Sequence, residues 1–154
     1  LRYCVAIGAK EGRQASCTQC LLIPSAKDDN SLVKWFGVLI EADDCLFAQL
    51  ERLHKSRGNR CLNVAVSTSG EPGTENLVAI LQQYAPELPE DFDLLCVDAG
   101  GSDYWILNDM WRIGRYFPKV ICVAFNGAIP SDHSYVPKRD DGTQHRASLA
   151  SFIE

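Results

Sequence analysis

KWFGVLIEADD, residues 34–44, predicts a buried strand that runs directly into a helix. Residues 34–41 are mostly apolar up to Glu41, which predicts a strand enclosed in a sheet with an acid at its carboxyl end. Apolar residues then recur at helical spacing, and Asp43 and Asp44 can cap the N-terminus of that helix. This stretch therefore predicts one strand–helix unit of an α/β fold.

Outward from this unit, apolar runs and helical patterns alternate along the chain. Such alternation is typical of a parallel sheet with helices on both faces. We predict one α/β domain over residues 1–154, with a doubly wound, mostly parallel sheet. The other predicted strands are 1–8, 60–67, 94–97 and 119–125, the other predicted helices are 77–84 and 104–116, a loop covers 127–144, and 147–153 begins a helix or a strand.

Composition and charge exclude several classes of protein. Hydrophobic residues make up 46% of the chain, charged residues 23%, and the net charge is -5, an ordinary globular balance. An acidic chain argues against a nucleic-acid partner, because phosphate binding needs a clustered basic face. No apolar run approaches the ~20 residues of a membrane span, so we predict no transmembrane segment.

The chain has seven cysteines, an odd number. Cys17 and Cys20 form a single C-x-x-C without a second pair at zinc spacing, and we predict two reduced thiols and no metal site. Cysteines in apolar strands are most often small core residues, and the pattern favours a reducing intracellular compartment over a disulfide framework. The predicted strand thiols are Cys4, Cys61, Cys96 and Cys122.

Candidate binding residues follow the predicted strands. In an open doubly wound sheet, ligands bind outside the carboxyl ends of the strands, near the point where the strand order reverses. A glycine turn at Gly8 lets the backbone approach a ligand, and Glu41 can accept both hydroxyls of a ribose. GAKEG, residues 8–12, is not the dinucleotide fingerprint, and no P-loop is present, so the sequence favours adenosine without a pyrophosphate.

Sequence motifs along nearly the whole chain resemble those of one family. The most specific is WFGVLIEAD, residues 35–43, beside the family pattern G-W-x-G-V-L-I-E-A-D. With these motifs the chain resembles the FkbM-like branch of class I S-adenosylmethionine-dependent methyltransferase-like proteins, including forms from algae and protists. Further matching motifs are NVAV at 63–66, FDLLCVD at 92–98, PKV at 118–120 and ASL at 147–149.

This resemblance implies a Rossmann-like methyltransferase fold and a site for S-adenosylmethionine. That fold usually finishes with two more strands, so the resemblance implies a sheet truncated at its C-terminal edge. An uncovered edge presents unpaired backbone groups and invites a partner. The cofactor-binding residues that the resemblance implies are Gly8, Ala9, Glu11, Gly12, Glu41 and Asp98.

Three carboxylates of the family pattern are absent from this chain. Ala6, Gly100 and Ala124 stand in their places. Alanine and glycine can neither bind the cofactor amine, act as a general base nor hold a metal. Glu11 replaces an aspartate and Arg146 replaces a glycine. The departures favour a pseudoenzyme with no catalytic residues.

Three functions stay open at this point. The first is a non-catalytic accessory or scaffold subunit with other protein subunits as partners and no cofactor. The family's occurrence implies an organellar assembly, photosynthetic or respiratory, in a chloroplast or mitochondrion. The second is an active S-adenosylmethionine-dependent methyltransferase acting on a small-molecule or O-acceptor, which Gly8, Glu41 and Asn126 favour. The third is a binder that keeps S-adenosylmethionine as a structural ligand.

Overall fold

Strands and helices alternate along the chain in the computed structural model, as the sequence predicts. The structure describes residues 1–12, 18–23, 33–68, 75–139 and 145–153. In chain order the elements are β1 (Arg2–Ile7), α1 (Gln19–Leu22), β2 (Trp35–Ile40), α2 (Asp44–His54), a 3₁₀ turn (Lys55–Arg57), β3 (Arg60–Leu62), α3 (Leu77–Tyr84), β4 (Leu94–Val97), α4 (Asp103–Ile113), β5 (Val120–Val123) and a second 3₁₀ turn (Ala150–Phe152).

The described strands form one five-stranded sheet in the order β3-β2-β1-β4-β5. Every neighbouring pair is parallel. The strand order runs outward from β1 in both directions, so the switch point lies between β1 and β4. Ile7 pairs with Ile40 on one side and with Val97 on the other, so these three strands end level. The prediction of an α/β, doubly wound, parallel sheet is confirmed.

The sheet has a core on each face. Successive side chains of a strand point to opposite sides, and β1 shows this alternation clearly. Val5 and Ile7 belong to the larger cluster, which includes buried residues of α3 and α4. Cys4 and Ala6 belong to a smaller cluster with Leu50 of α2. The helices therefore cover both faces of β1, as a doubly wound fold requires.

The predicted helix after the second strand is present as α2. Its N-cap is Asp43, whose side chain accepts a 2.8 Å hydrogen bond from the backbone N–H of Leu46. Leu50 and His54 are the buried residues of this helix. Sequence spacing thus identified both the cap and the inward face.

Helix α4 corrects the predicted range 104–116. It begins one residue earlier and ends at Ile113. Gly114 follows with a φ of 69°, and its N–H donates to Met110 O at 3.1 Å, a left-handed C-terminal cap. Across the described ranges, no helix combines the length and the apolar character needed to cross a membrane.

The predicted strand 60–67 is wrong beyond its third residue. Pairing with β2 ends at Leu62, whose carbonyl accepts the N–H of Glu41 at 3.0 Å. The Asn63 side chain then donates to Asp44 Oδ1 at 2.7 Å, outside the ladder. The edge strand β5 is also shorter than its predicted range, 119–125.

Two of the predicted core thiols are not buried. Cys4 is fully buried, and burial raises the pKa of its thiol to about 12, with the charge of Asp93 adding to the effect. Cys61 is half-buried, and Cys122 is exposed. Cys122 lies on β5 at the edge of the sheet, and an apolar sequence alone cannot distinguish an edge strand from a central one.

Cys96 corrects the prediction of a reduced core thiol. It is only 3% exposed, as expected for β4, but it is disulfide-bonded. Of the C-x-x-C pair, Cys20 is a free, exposed thiol, and Cys17 lies outside the described residues. A reducing compartment stays a prediction, and the bonded Cys96 weighs against the reasoning from reduced thiols that supported it.

Candidate functional site

A cleft of about 390 Å³ opens at the carboxyl ends of β1, β2 and β4. Gly8, Glu41 and Asp98 each follow one of these strands, and all three line it. They meet because parallel strands end at the same edge of a sheet. The other lining residues are mostly apolar: Ile7, Lys10, Ile40, Ala42, Leu46, Val64, Ala65, Val66, Ala99 and Ser102.

The turn after β1 is tightly wound. Gly8 has a φ of +67°, and a Cβ there would lie 2.0 Å from the backbone oxygen of Asp98. Gly12 has a φ of +73°, and Lys10 between them has a φ of 52°. Lys10 is the one described non-glycine residue in the left-handed region. Such a conformation costs of order 1 kcal/mol and persists only where surrounding contacts fix it.

Glu41 fixes that turn. Its side chain is only 7% exposed. Oε2 accepts the backbone N–H of Lys10 at 2.7 Å, and Oε1 accepts that of Asp43 at 2.9 Å. A carboxylate oxygen has a second lone pair, so Glu41 can still accept hydrogen bonds from ligand hydroxyls. Glu41 therefore joins the first turn to the start of α2 and retains capacity to bind.

Asp98 is paired with two cations. Lys10 Nζ lies 2.9 Å from its Oδ2, and Arg146 Nη2 donates to its Oδ1. Arg146 Nε also lies 3.9 Å from Oδ2 of Asp103. The Asp98 side chain is about one third exposed (34%), so water weakens both ion pairs. Its two oxygens are nonetheless both engaged within the chain.

Asp103 shapes the loop after β4. It is fully buried, and its two oxygens accept the N–H groups of Ala99 at 2.7 Å and Gly101 at 3.0 Å. Gly100 in the same loop has a φ of +65°. The carboxylate binds backbone donors before α4, so it stabilises the loop rather than facing the cleft.

The other three predicted cofactor-binding residues lie away from the main cleft. Ala9 is 2% exposed, its N–H donates to Ile40 O at 3.1 Å, and it lines a separate pocket. Glu11 lines a depression beside α2 with Arg52 and Arg57. Gly12 packs against His54. The structure thus brings together Gly8, Glu41 and Asp98 in the cleft. Ala9, Glu11 and Gly12 are not part of the cleft lining.

The positions of the absent carboxylates border this cleft. Ala6 and Ala124 line a pocket of about 210 Å³ at the ends of β1, β4 and β5, which shares Gly8 and Asp98 with the main cleft. Gly100 lines a further depression with Asn126, His145 and Arg146. Ala6 and Ala124 make their part of the pocket lining apolar, where the carboxylates of the family pattern would make it acidic.

Lys10 and Arg146 are the site residues that sequence reasoning missed. Lys10 lies inside the glycine turn, where Gly8, Ala9, Glu11 and Gly12 were predicted as site residues and Lys10 was not. Arg146 stands at a position where the resembled family has glycine. The chain therefore gains a positive charge at Arg146 and lacks three carboxylates of the family pattern. That combination was the sequence signal for the ion pair between Arg146 and Asp98.

The fold and cleft define the class of protein: a parallel, doubly wound α/β domain with a cleft of about 390 Å³ at its switch point. No protein family model, curated protein or solved structure matches the chain. Relation to the FkbM-like methyltransferases therefore stays a prediction. In the described parts of the chain, no group of three or more His, Cys, Asp or Glu side chains could hold a metal ion.

Proposed function

We propose that this chain is a non-catalytic, methyltransferase-like domain that acts as an accessory subunit of a larger protein assembly. One observation carries the proposal: Lys10 and Arg146 occupy both oxygens of Asp98, the carboxylate at the centre of the cleft. Such pairing leaves no oxygen of Asp98 free of a charged donor.

Methyl transfer to an O–H or N–H acceptor needs a route for the acceptor proton. The cleft lining, among the residues the structure describes, contains no His, Cys or Tyr. Glu41 holds two backbone N–H groups, and Lys10 is itself in the ion pair. Each ionisable group of the cleft thus already has a structural partner.

The direct test is methyl transfer from labelled S-adenosylmethionine to phenols, carboxylic acids and sugars, with binding measured in parallel by calorimetry. We expect no transfer above a protein-free control. Label transfer that depends on the chain and is lost in Asp98→Asn would overturn the proposal. Asp132→Asn is the matched control, because Asp132 is exposed and lies outside the cleft lining.

A gain-of-function variant makes a negative result informative. Ala6→Glu, Gly100→Asp, Ala124→Glu and Arg146→Gly together restore the pattern of the resembled family. Gly100 has nothing within 4 Å of its Cβ position, so an aspartate side chain meets no clash there, and the φ of +65° costs it about 1 kcal/mol. Activity gained by this variant attributes the missing chemistry to these positions. A folded variant without activity or cofactor binding counts against descent from such an enzyme.

Nucleoside binding without chemistry is the second candidate. The cleft volume of about 390 Å³, its apolar wall and the remaining lone pairs of Glu41 favour it. We expect S-adenosylmethionine and S-adenosylhomocysteine to bind at micromolar Kd, about -8 kcal/mol. Glu41→Gln should weaken binding about tenfold, since one lost charged hydrogen bond is worth ~1.5 kcal/mol. Equal affinity of wild type and this variant would exclude Glu41 as a ribose ligand.

A protein partner is proposed to bind at β5. Val120 is 54% exposed and Cys122 is exposed, while Ile121 and Val123 on the opposite face pack against the core. Residues of β5 include no charge and no proline, the usual protections of an edge strand. An extended segment of another subunit can therefore add to β5 by backbone pairing.

A further inference from the structure

A chain of buried and partly buried hydrogen bonds connects β2 to the turn after β1. The backbone N–H of Gly37 donates to Asn59 Oδ1 at 2.9 Å. Asn59 Nδ2 lies 3.1 Å from His54 Nδ1, and His54 Nε2 lies 3.4 Å from the carbonyl oxygen of Gly12. His54 is only 1% exposed. We name these four residues the His54 relay.

The relay has a single direction of donation. Asn59 Oδ1 must accept, because a backbone N–H can only donate. Asn59 Nδ2 therefore faces His54 as a donor, and Nδ1 of the ring accepts. The ring proton must then lie on Nε2, which donates to the Gly12 carbonyl oxygen. This arrangement fixes both the tautomer of His54 and the amide orientation of Asn59.

Packing fixes the relay at both ends. A Cβ at Gly12 would lie 2.7 Å from His54 Nε2 and 2.7 Å from Leu50 Cδ1. A Cβ at Gly37 would lie 3.3 Å from Asn59 Oδ1 and 2.6 Å from a methyl group of Leu22. The ring and the amide thus fill the space that these glycines leave, and their hydrogen bonds hold them there.

We infer that His54 is a positioning residue whose neutral ring joins Asn59 to the turn of residues 8–12, and that protonation breaks the bond to Asn59 and displaces the ring together with the turn to which its Nε2–H stays bound. An imidazolium carries a proton on Nδ1, which then faces the Nδ2 donor of Asn59. The amide cannot reverse to accept it, because Gly37 needs Oδ1. The relay is therefore compatible only with the neutral His54 ring that carries its proton on Nε2.

The charged groups around the ring also favour the neutral state. Burial lowers the pKa of His54, the Gly12 carbonyl oxygen raises it, and the charge of Arg57 lowers it. From the turn, Glu11 lies near Arg52 and Arg57 in the depression beside α2. Gly37 on β2 and Leu22 on α1 bring no side-chain charge to the relay. The ring is thus uncharged at neutral pH and accepts a proton in acid.

Displacement of the turn changes the cleft, because the two share residues. Gly8 and Lys10 line the cleft and precede Gly12 in the same turn. Lys10 is bound to Glu41 through its backbone and to Asp98 through its side chain. A shift at Gly12 is therefore transmitted to both carboxylates of the cleft. The relay makes the geometry of the cleft sensitive to acid.

The test is a pH titration of the whole chain by NMR, without any ligand. Long-range ¹H–¹⁵N spectra should show His54 protonated on Nε2 at pH 7.5, with the exposed His133 as a reference. The backbone amide signals of Gly8 and Gly12 should shift with the same midpoint as the His54 ring. An Nδ1–H tautomer, or a Gly12 amide that does not follow the ring, would overturn the inference.

Asn59→Asp separates the relay from mere packing. The carboxylate can accept from Gly37 and from a protonated Nδ1 together, so the midpoint of the His54 titration should rise and the Gly12 amide should follow it. Asn126→Asp adds the same charge beyond β5, where Oδ1 binds the N–H of Ala128, and should leave the midpoint unchanged. Equal midpoints in both variants would contradict the relay. These readouts do not depend on whether the cleft binds a nucleoside.

Discussion

The two sides of the sheet about β1 use polar residues differently. On the β2 side, Glu41 and the His54 relay bind the turn after β1. Glu41 and His54 are both more than nine tenths buried. On the β5 side, the edge strand leaves Val120 and Cys122 exposed. The comparison shows that polar bonds from buried side chains fix the cleft wall, while the opposite edge leaves apolar side chains exposed.

The β5 side has its own polar connection, at the amino ends of the strands. Asp93 Oδ2 accepts the N–H of Tyr3 at 2.9 Å, and Lys119 Nζ lies 3.0 Å from Oδ1. The hydrogen bond from Tyr3 lowers the pKa of Asp93, and Lys119 lowers it further. This carboxylate joins β1 to β5 at the end of the sheet away from the cleft.

Gly8→Ala should produce the largest loss of stability. Its Cβ would lie 2.0 Å from Asp98 O, so β1 and β4 must separate. We expect a loss of about 4 kcal/mol in the free energy of unfolding, measured in urea. Gly58→Ala is the matched control, since Gly58 has a φ of +76° but nothing within 4 Å, and should cost about 1 kcal/mol. Similar losses for both would show that the clash is relieved.

Asn59→Ala should cost about 2 kcal/mol, because it leaves the Gly37 N–H and His54 Nδ1 without partners in the interior. Asn63→Ala removes an exposed side-chain hydrogen bond to Asp44 and should cost less than about 0.5 kcal/mol. Urea midpoints of the two variants measure the difference. A smaller loss for Asn59→Ala than for Asn63→Ala would mean that the relay does not stabilise the β2 side.

The two sides should lose stability in different ranges of pH. The folded pKa of His54 lies below its unfolded value of 6.5, so its contribution is complete above 6.5 and is lost as the pH falls through the folded pKa. Asp93, also lowered, has its unfolded value at 3.8, and its contribution is lost only below that. His54→Phe should flatten the stability profile just below pH 6.5, and Asp93→Asn only in stronger acid. Parallel profiles for wild type and His54→Phe would contradict this.

Val120→Thr should have the smallest effect on the isolated chain, within about 0.5 kcal/mol, because Val120 is already exposed. Val38→Thr places the same hydroxyl at a fully buried position of β2 and should cost about 2 kcal/mol. In the assembly that we propose, Val120→Lys should abolish co-purification with the partner subunit proposed to bind at β5. Retained binding of that subunit would exclude β5 as the interface.

Local sequence predicted the order of the strands along the chain and the carboxyl ends of the three central strands well. Residues 77–84 and 94–97 form α3 and β4 with the predicted bounds. Gly8, Glu41 and Asp98 could be placed in one cleft because parallel strands end together. These predictions rest on the periodicity of apolar residues, which is a property of the local sequence.

Contacts between distant residues could not be predicted from one sequence. Lys10 and Asp98 are 88 positions apart, and Arg146 and Asp98 are 48 apart. Residues 60–67 form one apolar-rich run, but only tertiary pairing decides that the strand ends at Leu62. The exposure of Cys122 likewise depends on which strand lies at the edge, and apolar composition does not report strand order.

The contrast between crowded and open glycines limits how this chain can diverge. At Gly8, Gly12 and Gly37 an added methyl group would lie within 3.0 Å of another atom, whereas at Gly100 it would meet nothing within 4 Å. Substitutions at the first three damage folding, so selection for a folded protein removes them even when no reaction is under selection. In the loop after β4, Gly100 has no such clash, and its φ of +65° costs a non-glycine residue only about 1 kcal/mol. A lineage with this fold can lose or regain a carboxylate in that loop while the turn after β1 stays unchanged.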